Sequence, residues 1–258
     1  MNYQADLDLA LELADVADAI SLERFRALDL FVESKPDRSP VTDADRSVEQ
    51  AIKNVLAARA PNDALIGEEY GNTGSAARTW IIDPIDGTAN YLRGVPVWAT
   101  LIALAVDGKP VVSVVSAPAM GRRWWAAPEI GSFTKDIDGL TRELKVSAIS
   151  DLENASLSYN NLQLWDQAGM LNQLTALSRK IWRTRAYGDF WSYMLLAEGS
   201  VDIVAEHDLK IYDIAALVPI LEIAGGKFTA LSGPLTAEAS SVLATNAKLH
   251  EAVQKLLS

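Results

Sequence analysis

The segment WIIDPIDGTAN, residues 80–90, joins an apolar strand to a short acidic turn. The apolar residues predict a β-strand that delivers Asp83 to its carboxyl-terminal end, and Asp86 follows in the turn. Gly87 and Thr88 then open a short helical stretch. Such a turn offers carboxylates to a cation and backbone N–H groups to an anion at a helix N-terminus. The segment therefore predicts a site that binds a metal ion together with a phosphate group.

Three further acidic clusters stand at the ends of predicted elements: Asp43 with Asp45, Glu68 with Glu69, and Glu206 with Asp208 and Asp213. Taken alone, each has an ordinary structural explanation, since Asp45 can complete a capping box with Thr42 and Asp213 can cap a helix. Together they supply oxygen ligands in a chain with no cysteine and two histidines. Oxygen ligands without thiolate or imidazole favour Mg²⁺ over zinc or copper. Clustered carboxylates also repel one another unless a cation lies between them.

The chain resembles the inositol monophosphatase superfamily of Mg²⁺-dependent, lithium-sensitive phosphatases. The resemblance rests on three motifs, GEE at 67–69, DPIDGT at 83–88 and YDIAA at 212–216, whose order and spacing agree from Lys35 to Gly226. DPIDGT is the specific one, and Tyr212 stands where the family more often has Trp. The resemblance implies an α/β (α+β) fold, the layered αβαβα sandwich of the inositol monophosphatase and fructose-1,6-bisphosphatase type, and a homodimer.

The resemblance also implies a role for each motif residue. Two to three Mg²⁺ ions would be held by five residues: Glu68, Asp83, Ile85 through its backbone carbonyl, Asp86 and Asp213. Asp45 and Thr88 would activate the attacking water, and Glu68 would act in catalysis by contacting a third ion through water. The amides of Gly87 and Thr88 would bind phosphate oxygens. Lys35 stands where the family often has a loop lysine near the metals, although a loop lysine is more often simply solvated.

The segment RTRAYGDFW, residues 183–191, bears on the choice of phosphate ester. Inositol monophosphatases tend to have small or hydroxyl residues after its glycine, whereas this chain has Asp189 and then two aromatic residues. The segment resembles the corresponding stretch of the histidinol-phosphatase branch of the superfamily. Five residues are expected to contact the substrate: Asp86, Arg185, Asp189, Glu206 and Asp213. Because Asp189 and Glu206 add two carboxylates beyond those needed for metal, they favour a cationic leaving group over a neutral polyol.

The resulting hypothesis is a histidinol-phosphatase of histidine biosynthesis, which releases phosphate from L-histidinol phosphate by attack of metal-activated water. Alternatives stay open at this stage. If Asp189 merely caps the helix that begins there, the protein is an inositol-1-monophosphatase or a broad sugar phosphatase of the fructose-1,6-bisphosphatase type. A non-catalytic metal-binding regulator is a more distant alternative, and loss of a metal carboxylate would be its signature. A haloacid-dehalogenase-type nucleophile at 43–45 is excluded because that pair of aspartates follows a loop rather than an apolar strand.

Composition limits the classes of partner. The 258 residues include 34 acidic and 23 basic side chains, which gives a net charge of −11. Such a charge repels nucleic acid and anionic membrane surfaces. The longest apolar run, residues 97–106, is too short to cross a bilayer. We therefore expect a cytoplasmic protein that acts on a small phosphate monoester and binds neither nucleic acid nor membrane.

Periodicity predicts a helix in the first thirty residues and another at 43–59, then strands at 64–66, 79–83, 97–106, 110–117 and 122–133. The second half alternates strands at 155–159, 180–185, 202–205 and 227–230 with helices at 164–178, 189–198, 212–224 and 247–257. This pattern predicts two lobes. Residues 1–145 would form an α+β lobe with the metal-binding loops, and residues 146–258 an α/β lobe with the specificity segment and the last metal ligand.

Overall fold

The computed structural model describes residues 2–35 and 40–257. The strands in these residues are β1 (Val32–Ser34), β2 (Pro40–Thr42), β3 (Ala64–Gly67), β4 (Gly71–Thr73), β5 (Arg78–Asp86), β6 (Ala99–Val106), β7 (Lys109–Ala117), β8 (Arg122–Ala127), β9 (Gly131–Lys135), β10 (Thr141–Glu143), β11 (Ser156–Tyr159), β12 (Arg183–Arg185), β13 (Ile203–His207), β14 (Lys227–Ala230) and β15 (Ser241–Thr245). The α-helices are α1 (Gln4–Arg24), α2 (Asp43–Arg59), α3 (Thr88–Leu92), α4 (Leu162–Gln167), α5 (Leu171–Ser178), α6 (Asp189–Ala197), α7 (Ile211–Ile214), α8 (Leu217–Ile223) and α9 (His250–Leu257).

Strands β3 to β10 form one mixed sheet, in the order β10-β9-β8-β7-β6-β5-β3-β4 within the described residues. Neighbouring strands in it are antiparallel except β3 and β5, which are parallel. The turn between β6 and β7 contains Asp107 and Gly108, both with positive φ, as expected for the predicted hairpin. Along β6, Leu101 and Ile102 belong to different apolar cores. The strand reads as one apolar run because the sheet is covered on both faces.

Helices cover both faces of this first sheet. On the outer face, α1 and α2 pack Leu13 and Ile52 against Trp80 of β5. On the inner face, α6 and α8 pack apolar residues such as Phe190 and Leu221 against the same sheet. This inner helical layer is also in contact with a second sheet.

The second sheet has the order β12-β11-β13-β15-β14 in the described chain. Val204 and Val242 from this sheet share the apolar core of α6 and α8. Its opposite face packs against α4, α5 and α9 through residues such as Trp165, Leu174 and Val253. The layers therefore run helix, sheet, helix, sheet, helix, and the expected αβαβα sandwich is confirmed.

Several element boundaries differ from the sequence prediction. The strand predicted at 122–133 is two strands, because the chain turns at Glu129, which has a positive φ of 66°. The helix predicted at 164–178 is interrupted at Gly169, whose φ is 71°, and becomes α4 and α5. The helix predicted at 212–224 is likewise divided into α7 and α8. Strand β15 has no counterpart in the prediction, although it pairs with both β13 and β14.

The division into lobes at residues 145 and 146 remains a prediction. Strands of the first sheet end at Glu143 and those of the second begin at Ser156, but α6 and α8 pack between both sheets. Within residues 2–35 and 40–257, no helix combines the length and the apolar composition that a membrane span requires.

Candidate active site

The acidic pair of the 83–86 turn lies on an irregularity of strand β5. The strand pairs with β6 through Asp83, and the register then shifts before Asp86 pairs with Ala99. Strand β5 thus continues beyond the end that the sequence predicted at Asp83. Oδ1 of Asp83 accepts a 3.0 Å hydrogen bond from the backbone N–H of Ile85. Bulges of this kind redirect side chains, and here two carboxylates leave one strand end close together.

Asp213 joins this pair from helix α7. One carboxylate oxygen from each of Asp83, Asp86 and Asp213 lies within 4.8 Å of the other two. Oδ2 of Asp213 also accepts a 2.6 Å hydrogen bond from the backbone N–H of Lys210, just before the helix. The helix-capping role that the sequence allowed for Asp213 is therefore compatible with its place in the cluster. We call these three residues the carboxylate cluster.

Burial and mutual repulsion control the charge of the carboxylate cluster. Burial, followed by the charges of Glu68 and Asp86, raises the pKa of Asp83 well above its usual range. Burial also raises the pKa of Asp86, to which the charges of Asp189 and Asp213 add. The pKa of Asp213 rises to about 7, again mainly through burial. A cation between the carboxylates would oppose all three shifts. The ligand atoms of the cluster are all carboxylate oxygens, without sulfur or imidazole nitrogen. Such a set of ligands fits a hard divalent cation.

Glu68 lies outside the carboxylate cluster in the described part of the chain, although the sequence resemblance makes it a metal ligand. Oε1 of Glu68 is 2.7 Å from Nζ of Lys35, and the same ammonium is 2.6 Å from Oε1 of Glu69. Burial opposes the charge of Lys35, but hydrogen bonds to both glutamates raise its pKa above the usual range. Lys35 is therefore an ion-pair partner at the edge of the site rather than a solvated loop residue.

Glu49 of helix α2 anchors the turn that carries these two glutamates, and sequence reasoning missed it. Its carboxylate accepts hydrogen bonds from the backbone N–H groups of Glu69 at 2.7 Å and Tyr70 at 3.0 Å. The carboxylate lies so close to Gly67 that an added Cβ there would be 1.9 Å from Oε1 of Glu49. The signal in the sequence that could have identified Glu49 is its position next to Val48, on the apolar side of the predicted helix, where a carboxylate needs a partner.

Asp45 and Thr88 lie together, as expected from the resemblance. Oδ2 of Asp45 accepts hydrogen bonds from both the backbone N–H and the hydroxyl of Thr42, which completes the capping box of α2. Oδ1 of Asp45 faces the hydroxyl of Thr88 at 3.4 Å, and that hydroxyl makes a shorter bond of 2.9 Å to the carbonyl of Ile85. Burial raises the pKa of Asp45 to about 6. Asp45 can therefore cap the helix through Oδ2 and face Thr88 through Oδ1 at the same time.

Gly87 connects the turn to the start of α3 and has little room for a side chain. Its φ is 85°, in the left-handed region that favours glycine. An added Cβ would lie 3.1 Å from the carbonyl oxygen of Val97 and 3.2 Å from Oδ2 of Asp189. The amides of Gly87 and Thr88 lie at the start of this helix, where N–H groups have no carbonyl partner within the helix. This arrangement is consistent with the predicted phosphate contacts.

A cavity of about 220 Å³ opens beside the carboxylate cluster, and both carboxylates predicted for the leaving group line it. Its wall contains Asp86, Asn160, Asn161, Leu164, Asp189, Phe190, Tyr193, Glu206, His207, Asp208, Leu209 and Asp213. In the described residues Arg185 is not part of this wall. It is exposed at the end of β12, and its guanidinium donates to the carbonyl of Thr184 at 2.8 Å. The geometry therefore does not bring Arg185 to the other predicted substrate residues.

Asp189 does not cap helix α6 through its side chain in the described chain. Its Oδ2 instead accepts a 3.1 Å hydrogen bond from the side chain of Asn90, and its φ is 51°. The capping contact belongs to Asp86, whose Oδ2 accepts a 2.6 Å bond from the backbone N–H of Phe190. Burial raises the pKa of Asp189 to about 6. The alternative that Asp189 serves only as a helix cap is therefore not supported by its hydrogen bonds.

Glu206 is buried near the end of β13 and lines the same cavity. Its Oε2 accepts a 2.9 Å hydrogen bond from the hydroxyl of Tyr193, a residue that sequence reasoning did not select. Burial raises the pKa of Glu206 to about 8 despite this bond, and the charges of Asp189 and Asp213 contribute. A positively charged group in the cavity would favour the ionised form of these carboxyls.

Comparisons with known proteins identify the family of this chain. Residues 2–258 match the model of the inositol monophosphatase family. The chain is 50% identical to a histidinol-phosphatase of Streptomyces coelicolor, over 97% of this chain and 96% of that protein. It is 49% identical to a histidinol-phosphatase of Mycobacterium tuberculosis, with 96% of each covered. Among solved structures, an inositol monophosphatase from Zymomonas mobilis superposes with a TM-score of 0.87 at 34% identity, covering 100% of this chain and 99% of that one. The chain belongs to the inositol monophosphatase family.

Proposed function

We propose that this protein is a Mg²⁺-dependent histidinol-phosphatase, which hydrolyses L-histidinol phosphate to L-histidinol and phosphate in histidine biosynthesis. Family membership and 50% identity to a histidinol-phosphatase support a phosphomonoester hydrolase. The observation that carries the choice of substrate is the cavity beside the carboxylate cluster, where Asp189 and Glu206 add two further carboxylates. Such a wall suits a leaving group that carries an ammonium group better than a neutral polyol, because substrates without the charge leave both carboxylates unpaired.

Asp83, Asp86 and Asp213 would hold Mg²⁺, together with the carbonyl of Ile85 and with Glu68 at the edge of the site. When bound, Mg²⁺ supplies positive charge to the phosphoryl oxygens and lowers the pKa of water. The carbonyl of Ile85 accepts the hydroxyl of Thr88 and keeps a second lone pair free. Glu68 is the proposed ligand with a competing partner, the ammonium of Lys35.

The chain's own groups then position and activate the attacking water. The hydroxyl of Thr88 would turn from the carbonyl of Ile85 toward Oδ1 of Asp45, the oxygen that Thr42 does not occupy. Oγ1 of Thr88 would then accept a proton from water as its own proton passes to Asp45. Burial favours such a transfer, because it raises the pKa of Asp45 to about 6. The amides of Gly87 and Thr88 would bind phosphate oxygens as negative charge develops on them.

On the leaving-group side, Asp189 and Glu206 would bind the ammonium group of the substrate. Asn90 fixes Asp189 with a 3.1 Å bond, and Tyr193 fixes Glu206 with a 2.9 Å bond, so both carboxylates are oriented before substrate arrives. Prior orientation reduces the entropy that binding must otherwise remove.

The test is Mg²⁺-dependent phosphate release from L-histidinol phosphate, measured beside inositol 1-phosphate and fructose 1,6-bisphosphate. We expect kcat/KM to favour L-histidinol phosphate by a hundredfold or more, about 2.7 kcal/mol of transition-state binding. Comparable values for the three substrates would contradict the histidinol-phosphatase proposal and favour a broad phosphatase with the same metal chemistry. No release from any of them with Mg²⁺ would favour the non-catalytic alternative.

Three further properties complete the proposal and rest on the sequence resemblance. Lithium should inhibit phosphate release in competition with Mg²⁺, which inhibition kinetics at several Mg²⁺ concentrations would test. The protein should be a homodimer in sedimentation equilibrium. A cytoplasmic location remains a prediction that cell fractionation would test.

A further inference from the structure

Two buried side-chain oxygens in the cavity wall have a fixed position but no hydrogen-bond partner in the described part of the chain. One is Oε1 of Glu206, an acceptor when a cation keeps the carboxyl ionised, and the other is Oδ1 of Asn160; both residues line the cavity. Each of these oxygens is buried, and neither has a hydrogen-bond partner among the described residues. A buried acceptor without a partner destabilises the folded protein. Two such atoms in one cavity wall therefore suggest that a ligand supplies the missing donors.

The other atom of each group is held firmly, so the free oxygen has a defined position. For Glu206, the hydroxyl of Tyr193 donates to Oε2 at 2.9 Å. For Asn160, Nδ2 donates to the backbone carbonyl of His207 at 2.7 Å. A carbonyl oxygen can only accept, so this bond fixes which end of the amide is nitrogen and leaves Oδ1 as the acceptor.

Tyr193 is itself rigid, which makes it suitable as a positioning residue. It is buried in the core between the two sheets, where its ring stacks on Phe228 with centroids 5.5 Å apart. Because the ring cannot move away, its hydroxyl orients Glu206 whether or not a ligand is present. The phenol contributes one donor to Oε2 and leaves Oε1 to the cavity.

We infer that Tyr193 and Asn160 set the leaving-group preference of the enzyme. Tyr193 is a positioning residue that holds Glu206 with Oε1 free, and Asn160 supplies a second, neutral acceptor. Together they select a leaving group with at least two N–H donors, one of them cationic. This inference rests on the proposed function and adds the residues that would confer its specificity.

The charge pattern explains why the two acceptors would not be equivalent. Oε1 of Glu206 belongs to a carboxylate near Asp189 and Asp213, so a cationic N–H is favoured there. Oδ1 of Asn160 is neutral and lies in a wall shared with Leu164, which suits an N–H that carries no charge. An alcohol can donate to either oxygen but supplies no charge to balance the carboxylates.

Two substitutions test the inference. Tyr193→Phe removes the hydroxyl and keeps the stacked ring, and Asn160→Leu removes the amide at similar size. The matched controls are Tyr159→Phe, which loses a hydroxyl on a ring in the core that the second sheet forms with α4, α5 and α9, and Asn172→Leu on the exposed face of α5. For each protein, kcat and KM are measured with L-histidinol phosphate and with p-nitrophenyl phosphate, whose leaving group has no N–H donor. Thermal unfolding verifies that each variant is folded.

For both cavity variants we expect KM for L-histidinol phosphate to rise about tenfold, with a much smaller change in kcat, because a hydrogen bond to a charged or buried group is lost. The ratio of kcat/KM between the two substrates should fall by the same factor, and the controls should leave it unchanged. If the wild-type protein prefers L-histidinol phosphate and neither cavity variant lowers the ratio, the inference is wrong and the proposed function stands. A loss of preference in only one variant overturns the two-acceptor arrangement. A wild-type protein without the preference overturns the proposed function itself.

Discussion

Oδ2 of Asp86 accepts a 2.6 Å hydrogen bond from the backbone N–H of Phe190, so one side chain joins the carboxylate cluster to the first turn of helix α6. The N-terminus of a helix carries unpaired N–H groups and the positive end of the helix dipole, both of which favour a carboxylate. The segment expected to determine specificity is therefore fixed directly to the segment expected to bind metal. The two parts of the site, 104 residues apart in the chain, cannot shift independently.

The carboxylate cluster should be essential for turnover. Asp83→Asn should lower Mg²⁺-dependent kcat/KM by about three orders of magnitude or more, because a metal ion contributes several kcal/mol to stabilising the transition state. The protein should stay folded, since the change also removes one of several repelling buried charges. The control is Asp107→Asn in the β6–β7 turn, where asparagine tolerates the positive φ of 50°. Surviving activity in Asp83→Asn would remove the cluster from the mechanism.

Asp189 should discriminate between substrates. Asp189→Asn is a suitable change because asparagine tolerates the φ of 51° and can still accept from Asn90. We expect KM for L-histidinol phosphate to rise about tenfold, because a charge-assisted hydrogen bond to the substrate is lost. KM for inositol 1-phosphate should change much less. Steady-state kinetics with both substrates measure this. An equal effect on the two would assign Asp189 a structural role only.

Glu49 should stabilise the turn that carries Glu68. In Glu49→Gln, one end of the side chain becomes a donor and can no longer accept from both Glu69 and Tyr70. We expect the free energy of unfolding to fall by about 1–3 kcal/mol, the penalty for a buried group that loses its partner. Urea unfolding measures it, and Glu23→Gln at an exposed position of α1 is the matched control. Equal stability of the two variants would contradict this anchoring role.

His250 should make the folded state sensitive to mild acid. Its ring is buried and lies 3.0 Å from the hydroxyl of Thr229 and 3.1 Å from that of Thr245. Burial, assisted by the charge of Lys227, lowers its pKa from 6.5 to about 4. The unfolded chain takes up a proton here below pH 6.5, whereas the folded protein resists protonation until about pH 4. Folding stability is therefore lost as the pH falls through this window.

The measurement for His250 is the free energy of unfolding of the wild-type protein and of His250→Gln between pH 7 and pH 4.5. The wild-type advantage should shrink with falling pH by up to about 1.4 kcal/mol per unit. His207 is present in both proteins, so its titration cancels in the difference. A difference independent of pH would show that the ring is not held neutral by its surroundings.

The sequence predicts those parts of the site that lie on one continuous segment. DPIDGT contains the bulge, the left-handed glycine and two of the three clustered carboxylates, all within six residues. The apolar period of α2 and the hairpin at Asp107 and Gly108 are also local, and their predictions agree with the structure. Short-range backbone geometry and hydrophobic periodicity are sufficient for such features.

Features that depend on distant partners were not predictable in this way. Lys35 meets Glu68 across 33 positions, and Asp189 meets Asn90 across 99. Strand β15 was missed because its stability comes from pairing with β13 and β14 rather than from its own short pattern. The sequence predicts Arg185 in the site because it belongs to the segment expected to determine specificity, but as the last residue of an edge strand it is exposed.

The helical layer of α6 and α8 has a consequence for folding. Its core contains Leu101 and Val115 from the first sheet and Val204 and Val242 from the second. A fragment that ends at residue 145 would leave the inner face of the first sheet uncovered. A fragment that starts at residue 146 would expose the faces of α6 and α8 that pack against that sheet. Exposed apolar surface of that extent favours aggregation. We therefore expect neither half to fold alone, the two to complement each other only when they are co-expressed, and the intact chain to unfold in one cooperative transition.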